Sequence, residues 1–364
     1  HQESDLTAIT TVTTNNDDSL TLTMSGDHDG AVRTTRTTLK NVEEIKLRSL
    51  DQPTETILFD DIIEYFDGDQ IEVSELITIN SASEGSSDWA RIAALPTGGF
   101  VTVWHDHYGK DGSEAGIYGR FLDESYNRIG NEFLVNTLTF GFQTKASIAT
   151  LSDGTFMVVW AGGDGSYQGQ VFAPDGTKSG TQFTVGPWYI GESDIIASSD
   201  DNFFVLKAQN NEVAGNLSVY SRTGQELVDS VTITTRGGRI VELSADRFLA
   251  SWSDTQDVEG YEINAVIFDG SGTLISDEFL LNSTTENNQQ ASELVAVGDG
   301  SFASVWQSYE QDGELFDIYF RVFDTNGLAL TEEILVNTST DGQQSAPSVA
   351  LAGDGAFIVA WQSD

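Results

Sequence analysis

An all-β architecture of repeated four-stranded sheets is what this sequence predicts, on three observations. A half-motif of Phe, three mostly apolar or small residues and Trp runs from Phe100 to Trp104 and recurs at Phe156 to Trp160, Phe248 to Trp252, Phe302 to Trp306 and Phe357 to Trp361, with Phe203 to Lys207 a degenerate copy. A second half-motif starts at an aromatic residue or Leu, passes a turn rich in Asp and Gly, and ends fourteen positions later: Phe66 to Asn80, Leu122 to Asn136, Phe172 to Gly186, Tyr220 to Thr234, Phe268 to Asn282 and Phe323 to Asn337. Successive end positions lie 56, 50, 48, 48 and 55 residues apart, which is the length of four short strands and their turns.

Each unit reads as strand, Asp-Gly turn, strand, variable loop, strand, turn, strand. Apolar residues on both faces of the Phe-to-Trp strand require a layer on each side of the sheet, as neighbouring blades supply. The repeat opens with a second half (Asp61 to Asn80) and closes with a first half (Leu351 to Asp364), so the two ends are expected to combine into one blade. The prediction is a six-bladed β-propeller over residues 61–364, closed by the N- and C-terminal halves of one blade. Residues 1–60 fall outside the repeat; their Thr-rich stretches and Val42-Glu43-Glu44-Ile45-Lys46-Leu47 predict a small β-rich extension or the end of a preceding domain.

Composition narrows the function classes. The chain has 364 residues, 57 of them Asp or Glu against 17 Lys plus Arg, for a net charge of −40. Such a field repels phosphate backbones and anionic membrane surfaces, which argues against nucleic acid as a partner. It also favours a cation-rich medium and makes calcium a candidate cofactor. Cysteine is absent, so disulfides and thiolate metal sites are excluded. No apolar run reaches the roughly 18 residues that span a bilayer, so membrane insertion is not expected. The chain starts at His1 without a signal peptide, and is read as a processed piece of a longer polypeptide, with the rest of that parent or neighbouring copies as partners.

The clearest unit carries Trp306-Gln307-Ser308, Asp312-Gly313, Ile318-Tyr319, Arg321, Phe323-Asp324, Gly327 and Ile334-Leu335-Val336-Asn337-Thr338. It resembles the roughly fifty-residue Trp-Gln-Ser and Phe-Asp-x-x-Gly repeats of large exported bacterial proteins that accompany hemolysin-type calcium-binding segments. The resemblance covers Asp61 to Asp364 and implies a secreted or surface-displayed module, with no single reaction attached. The unit with Lys207 and Ser221 departs most from it, and the glycine-rich nonapeptide of the calcium roll is absent.

Chemistry is expected on the face that collects the variable loops. In Trp104-His105-Asp106-His107-Tyr108, His105 and His107 project to one side of an extended segment, a spacing that suits two metal ligands or a catalytic base with an orienting partner. Tyr108 is the matching acid if the chain is a lyase. Trp89, Arg91, Trp188, Tyr189, Lys207, Arg236 and Arg239 form an aromatic and cationic group suited to an acidic sugar polymer, since aromatic faces stack on sugar rings and Arg forks grip carboxylates. Asp67, Asp69, Asp111 and Asp312 are candidate calcium ligands, although Asp-Gly pairs also make good turns. The repeated Trp residues read as structural. The expected function is a non-enzymatic extracellular or cell-surface binding module for a glycan or protein; the alternative is a lyase or hydrolase of an anionic polysaccharide.

Overall fold

The structure, a computed structural model, describes residues 5–14, 20–28, 31–39, 71–80, 87–107, 110–187, 193–207, 215–233, 238–254, 260–311, 315–337, 342–352 and 355–363. All regular structure among these residues is β, and no helix is long and apolar enough to cross a membrane. The strands form seven antiparallel sheets that follow chain order.

The first sheet holds β1 (Asp5–Thr14), β2 (Leu20–His28), β3 (Ala31–Leu39) and β4 (Ile71–Thr78). The second holds β5 (Ser87–Ala94), β6 (Phe100–Asp106), β7 (Gly116–Leu122) and β8 (Arg128–Leu134). The third comprises β9 (Thr144–Thr150), β10 (Phe156–Ala161), β11 (Ser166–Phe172) and β12 (Lys178–Pro187). In the fourth are β13 (Ser193–Ala197), β14 (Asn202–Lys207), β15 (Gly215–Ser221) and β16 (Glu226–Ile233). The fifth has β17 (Gly238–Ser244), β18 (Arg247–Asp254), β19 (Glu262–Phe268) and β20 (Phe279–Leu280). The sixth has β21 (Gln289–Ala296), β22 (Phe302–Tyr309), β23 (Phe316–Phe323) and β24 (Ile334–Leu335), and the seventh only β25 (Gln344–Leu351) and β26 (Phe357–Ser363).

The expected joining of Leu351–Asp364 with Asp61–Asn80 is not the pairing found. β4 hydrogen-bonds to β3, with Leu39 opposite Ile71 and Arg33 opposite Thr78, so the second-half strand completes a sheet with the N-terminal strands. Among the described residues β26 pairs with β25, and the sheets number seven where six blades were expected. Three strands within the first 39 residues, outside the repeat motif, supply the partners of β4.

The packing follows from strand alternation. β10 is buried along its whole length. Its Phe156, Val158 and Trp160 pack with Val101, Val103 and Ile117 of the preceding sheet. Its Met157, Val159 and Ala161 pack with Ile195, Phe203 and Val205 of the following one. The same scheme carries Phe248 and Trp252 onto Phe204 and Leu206, and Phe302 and Trp306 onto Leu249 and Ile267. Face-to-face aromatic pairs reinforce it, with Phe156 on Phe172 and Phe302 on Phe323, both at 4.8 Å between centroids. First strands touch in succession, β5 with β9, β9 with β13, β13 with β17, β17 with β21 and β21 with β25, while β1 touches β25 and β2 touches β5. The result is a propeller-like arrangement in which the first strand of each sheet lies innermost.

The Asn that closes the second half-motif has a structural task. Ile117, Ile263 and Ile318 N–H groups donate to the Oδ1 atoms of Asn136, Asn282 and Asn337 at 2.7–2.8 Å, always nineteen residues apart. The fourth strands β20 and β24 are two residues long, and the buried Asn continues the ladder where their backbone leaves it. Asn282→Ala strands the Ile263 N–H and is expected to lower stability by about 1–3 kcal/mol, read as a thermal or urea midpoint shift.

The turns led by Asp are equally specific. Asp269 Oδ1 accepts from the N–H groups of Ser271 and Thr273, and Asp123 Oδ1 from those of Ser125 and Asn127. The hydroxyl of Ser271 and the amide of Asn127 are the leading causes that hold these two carboxyls below the usual aspartate range. Backbone N–H groups of Thr155 and Thr177 do the same for Asp153 and Asp175. A depressed folded-state pKa contributes stability that is complete above the unfolded value near pH ~3.9 and drains as pH falls through the folded value. Replacing Asp123, Asp175 and Asp269 together by Asn is therefore expected to flatten the loss of stability below about pH 4. An unchanged acid-unfolding profile would contradict this account of the turns.

Candidate functional site at the innermost strands

The innermost strands of the second to seventh sheets each place one residue at an equivalent point. Counting nine residues back from each motif Phe gives Arg91, Ser147, Asp194, Arg239, Glu293 and Ser348. Register confirms the equivalence, because these residues pair with Val103, Val159, Leu206, Ser251, Val305 and Ala360, each twelve residues further on. Two cations and two carboxylates thus meet from four different sheets.

Their electrostatics show that they share one space. Arg239 Nε and Nη2 both lie 2.7 Å from Glu293 Oε1, a two-pronged ion pair between β17 and β21. The Ile240 N–H donates to Asp194 Oδ2 at 3.0 Å. Burial pushes the Glu293 carboxyl up, against the pull of Arg239, with Asp194 adding to the rise and Arg91 opposing it. Burial likewise raises Asp194, opposed by Arg239, then the Ile240 N–H and Arg91. Yet the Arg239 and Glu293 side chains keep 28% and 29% of their surface open. The pair is thus partly open to water while held among charged groups of neighbouring sheets.

Two residues before this level the innermost strands bulge. Trp89, Lys145, Ala291 and Ala346, all eleven residues before their motif Phe, take φ of 55°, 55°, 55° and 50°. A residue in this left-handed conformation is costly without glycine and marks a β-bulge that bends the strand end, as the register shifts here show. On the neighbouring strands β5 and β9 the Lys145 ammonium stands 5.1 Å from the centre of the Trp89 ring. Ala291 and Ala346 put only a methyl group at the same position.

Beside Lys145 the site continues onto the loop after Trp104. His105 is 1% exposed at the end of β6, and its Nδ1 lies 3.2 Å from Thr144 Oγ1. Its Nε2 lies 2.7 Å from Nε2 of the exposed His107. Buried Asp106 pairs with Lys110 at 2.6 Å, and Lys110 stands 5.5 Å from the Tyr118 ring centre. Burial, then Asp111 and Asp106, push the Tyr118 hydroxyl well above its ordinary value.

Sequence-predicted residues are distributed as follows. Trp89, Arg91, Arg239, His105 and His107 all lie at or near the variable-loop ends of innermost or second strands. Arg239 is neutralised by Glu293, a partner for which the sequence offered no motif beyond its spacing from Phe302. Lys207 is 3% exposed, with its ammonium donating to Val185 O at 3.1 Å and Ser218 Oγ at 2.8 Å. It fills the core position that Trp holds in sister repeats, so its charge serves packing and not an open surface. Gly186 stands where those repeats have Asn, and a Cβ there would lie 3.2 Å from Lys207 Nζ. Asp111 accepts from Asn136 Nδ2 and the Ser113 N–H, a turn role. Tyr108, Trp188, Tyr189, Arg236, Asp67, Asp69 and Asp312 lie outside the described residues. Among the described residues no group of three or more His, Asp or Glu side chains is arranged to hold a metal ion.

Removing Arg239 leaves two enclosed carboxylates without their nearest cation. Arg239→Ala is expected to raise the titration of Glu293 and Asp194 further, read by carboxyl carbon chemical shifts, and to cost about 1–3 kcal/mol. A raised carboxyl pKa means stability that increases as pH falls through the folded value, so the penalty of this variant shrinks on mild acidification.

No family model matches the chain, and no curated protein matches it either. Solved structures are similar in fold at low identity. A lectin from Burkholderia pseudomallei aligns with a TM-score of 0.57 and 10% identity over 89% of this chain and 82% of its own. A protein of unknown function from Dyadobacter fermentans aligns with a TM-score of 0.52 and 10% identity over 79% and 93%. The β-propeller domain of the Trilobed protease from Pyrococcus furiosus, described as having an open velcro topology, gives a TM-score of 0.48 and 9% identity over 100% and 95%. The first two likenesses concern the fold alone.

Proposed function

We propose that this chain is a secreted or surface-displayed glycan-binding module whose site is the variable-loop end of the innermost strands. The observation that carries the reading is that the same ends of the innermost strands hold the Trp89 and Lys145 pair and, two residues further along, the level of Arg91, Arg239, Asp194 and Glu293. An aromatic face for a sugar ring, fixed donors and fixed acceptors are what saccharide recognition needs in water. Arg91, Arg239 and Lys145 put cations on these strand ends in a chain of net charge −40. Anionic sugars are thereby tolerated where the rest of the surface repels them. The fold likeness to a lectin is consistent with this reading, which stands on the chain's own residues.

Binding and not turnover is favoured by how the charged groups are used. Arg239 and Lys110 are each tied to a carboxylate and Lys207 is buried in the core, so these three cations serve to hold the protein's own groups in place. Screening the chain against a glycan array, with and without calcium, tests the reading. Saccharide binding is expected to weaken by roughly tenfold in Trp89→Ala, the loss of one stacking contact. Binding that is indifferent to Trp89, Lys145 and Arg91 together would place the site elsewhere, and depolymerisation of an anionic polysaccharide would replace the reading with an enzymatic one.

A further inference from the structure

The His105 and His107 pair has a geometry that the glycan reading does not use. Two Nε2 atoms 2.7 Å apart can share a proton, with one ring donating and the other accepting. A straight hydrogen bond would hold the ring centres about 5 Å apart. They are 4.3 Å apart with the planes at 78°, so the ring axes bend away from the N···N line. Two ring nitrogens held this close, off the straight line of an ordinary hydrogen bond, are also close enough to share one cation after a small opening.

We infer that His105 and His107 form a two-imidazole site for a late first-row divalent cation, copper or nickel in preference to zinc. Metal–imidazole bonds of about 2.0–2.1 Å place cis nitrogens about 2.9 Å apart in square or octahedral geometry and about 3.3 Å apart in tetrahedral geometry. The observed separation needs an opening of a few tenths of an ångström for the first and about three times as much for the second. His107 sits in an exposed turn and can supply the small movement; His105 is fixed in the buried end of β6. Thr144 sets the second requirement. With Nδ1–H of His105 donating to Thr144 Oγ1, the neutral ring presents Nε2 as a lone pair, the arrangement by which ligand histidines are oriented. Each ring enters as a neutral ligand, the proton between the two Nε2 atoms moves to the Nδ1 of the ring that carried it, and water fills the remaining positions. The net charge of −40 draws divalent cations to the surface without fixing them, so the imidazoles provide the selectivity.

Titration calorimetry of the chain with copper(II), nickel(II), zinc and calcium chlorides in a non-chelating buffer tests this. One equivalent of copper(II) is expected to bind, with an electron paramagnetic resonance spectrum showing coupling to two imidazole nitrogens; nickel follows, zinc is weaker, and calcium does not compete. His107→Ala, an exposed position where folding is not at stake, is expected to remove the two-nitrogen signature, and Thr144→Val to weaken copper binding by roughly tenfold through loss of ring orientation. The chain's other histidines, His1 and His28, provide the control, since the double variant His1→Ala with His28→Ala keeps the site. Copper binding that survives His107→Ala unchanged, disappears in the His1/His28 variant, or is absent from the parent chain overturns the inference.

Discussion

The burial of each Phe-to-Trp strand on both faces is the constraint from which the rest of the molecule follows. A strand whose successive residues are Phe156, Met157, Val158, Val159 and Trp160, all at 0% exposure, cannot sit in a sheet with one wet face. Its even positions need one neighbour and its odd positions another. Repeating that demand along the chain stacks sheet against sheet, and the first strand of each is carried to the inside. Burying a large aromatic or aliphatic side chain is worth about 1.5–3 kcal/mol, so several such residues per repeat outweigh any local preference of the loops.

Because the second strands carry the stability, the innermost strands are left to vary. The equivalent residues Arg91, Ser147, Asp194, Arg239, Glu293 and Ser348 share a place in the fold and almost nothing in chemistry. That is how a repeated scaffold builds an asymmetric site: symmetry in the core, divergence where the copies meet. The Arg239 to Glu293 pair shows the balance involved. Burial raises the carboxyl and the guanidinium lowers it again, so the pair keeps charged groups in a place that disfavours isolated ones.

The sequence made the strands, the Asp-Gly turns and the structural role of the tryptophans legible, since each rests on local pattern. Phe, Trp and Asn recur at fixed spacing because the core and the ladder demand them. Partnership was harder to read. The Thr-rich strands before residue 40 carry no copy of the motif, and their pairing with β4 depends on long-range register that no local pattern encodes. Lys207 looked like a surface cation by residue type, yet its position four after Phe203 already marked it as a core residue. Asp194 and Glu293 carried a signal only in their count from the motif Phe, and sheet neighbours in space are far apart in sequence. The His105 and His107 relation was legible because alternation along a strand is local, whereas the Thr144 partner lies 39 residues away.

The account depends most on the innermost strands gathering about one centre, and the absence of cysteine from the chain makes that directly measurable. Ser147 and Ser348 occupy equivalent points on β9 and β25, in the third and seventh sheets. Spin labels on Ser147→Cys with Ser348→Cys should give a single, narrow and short inter-label distance by pulsed electron resonance, matching two positions about a common centre. A broad distribution centred at the long distances of an extended array of sheets would contradict the shared centre, and with it the site built there.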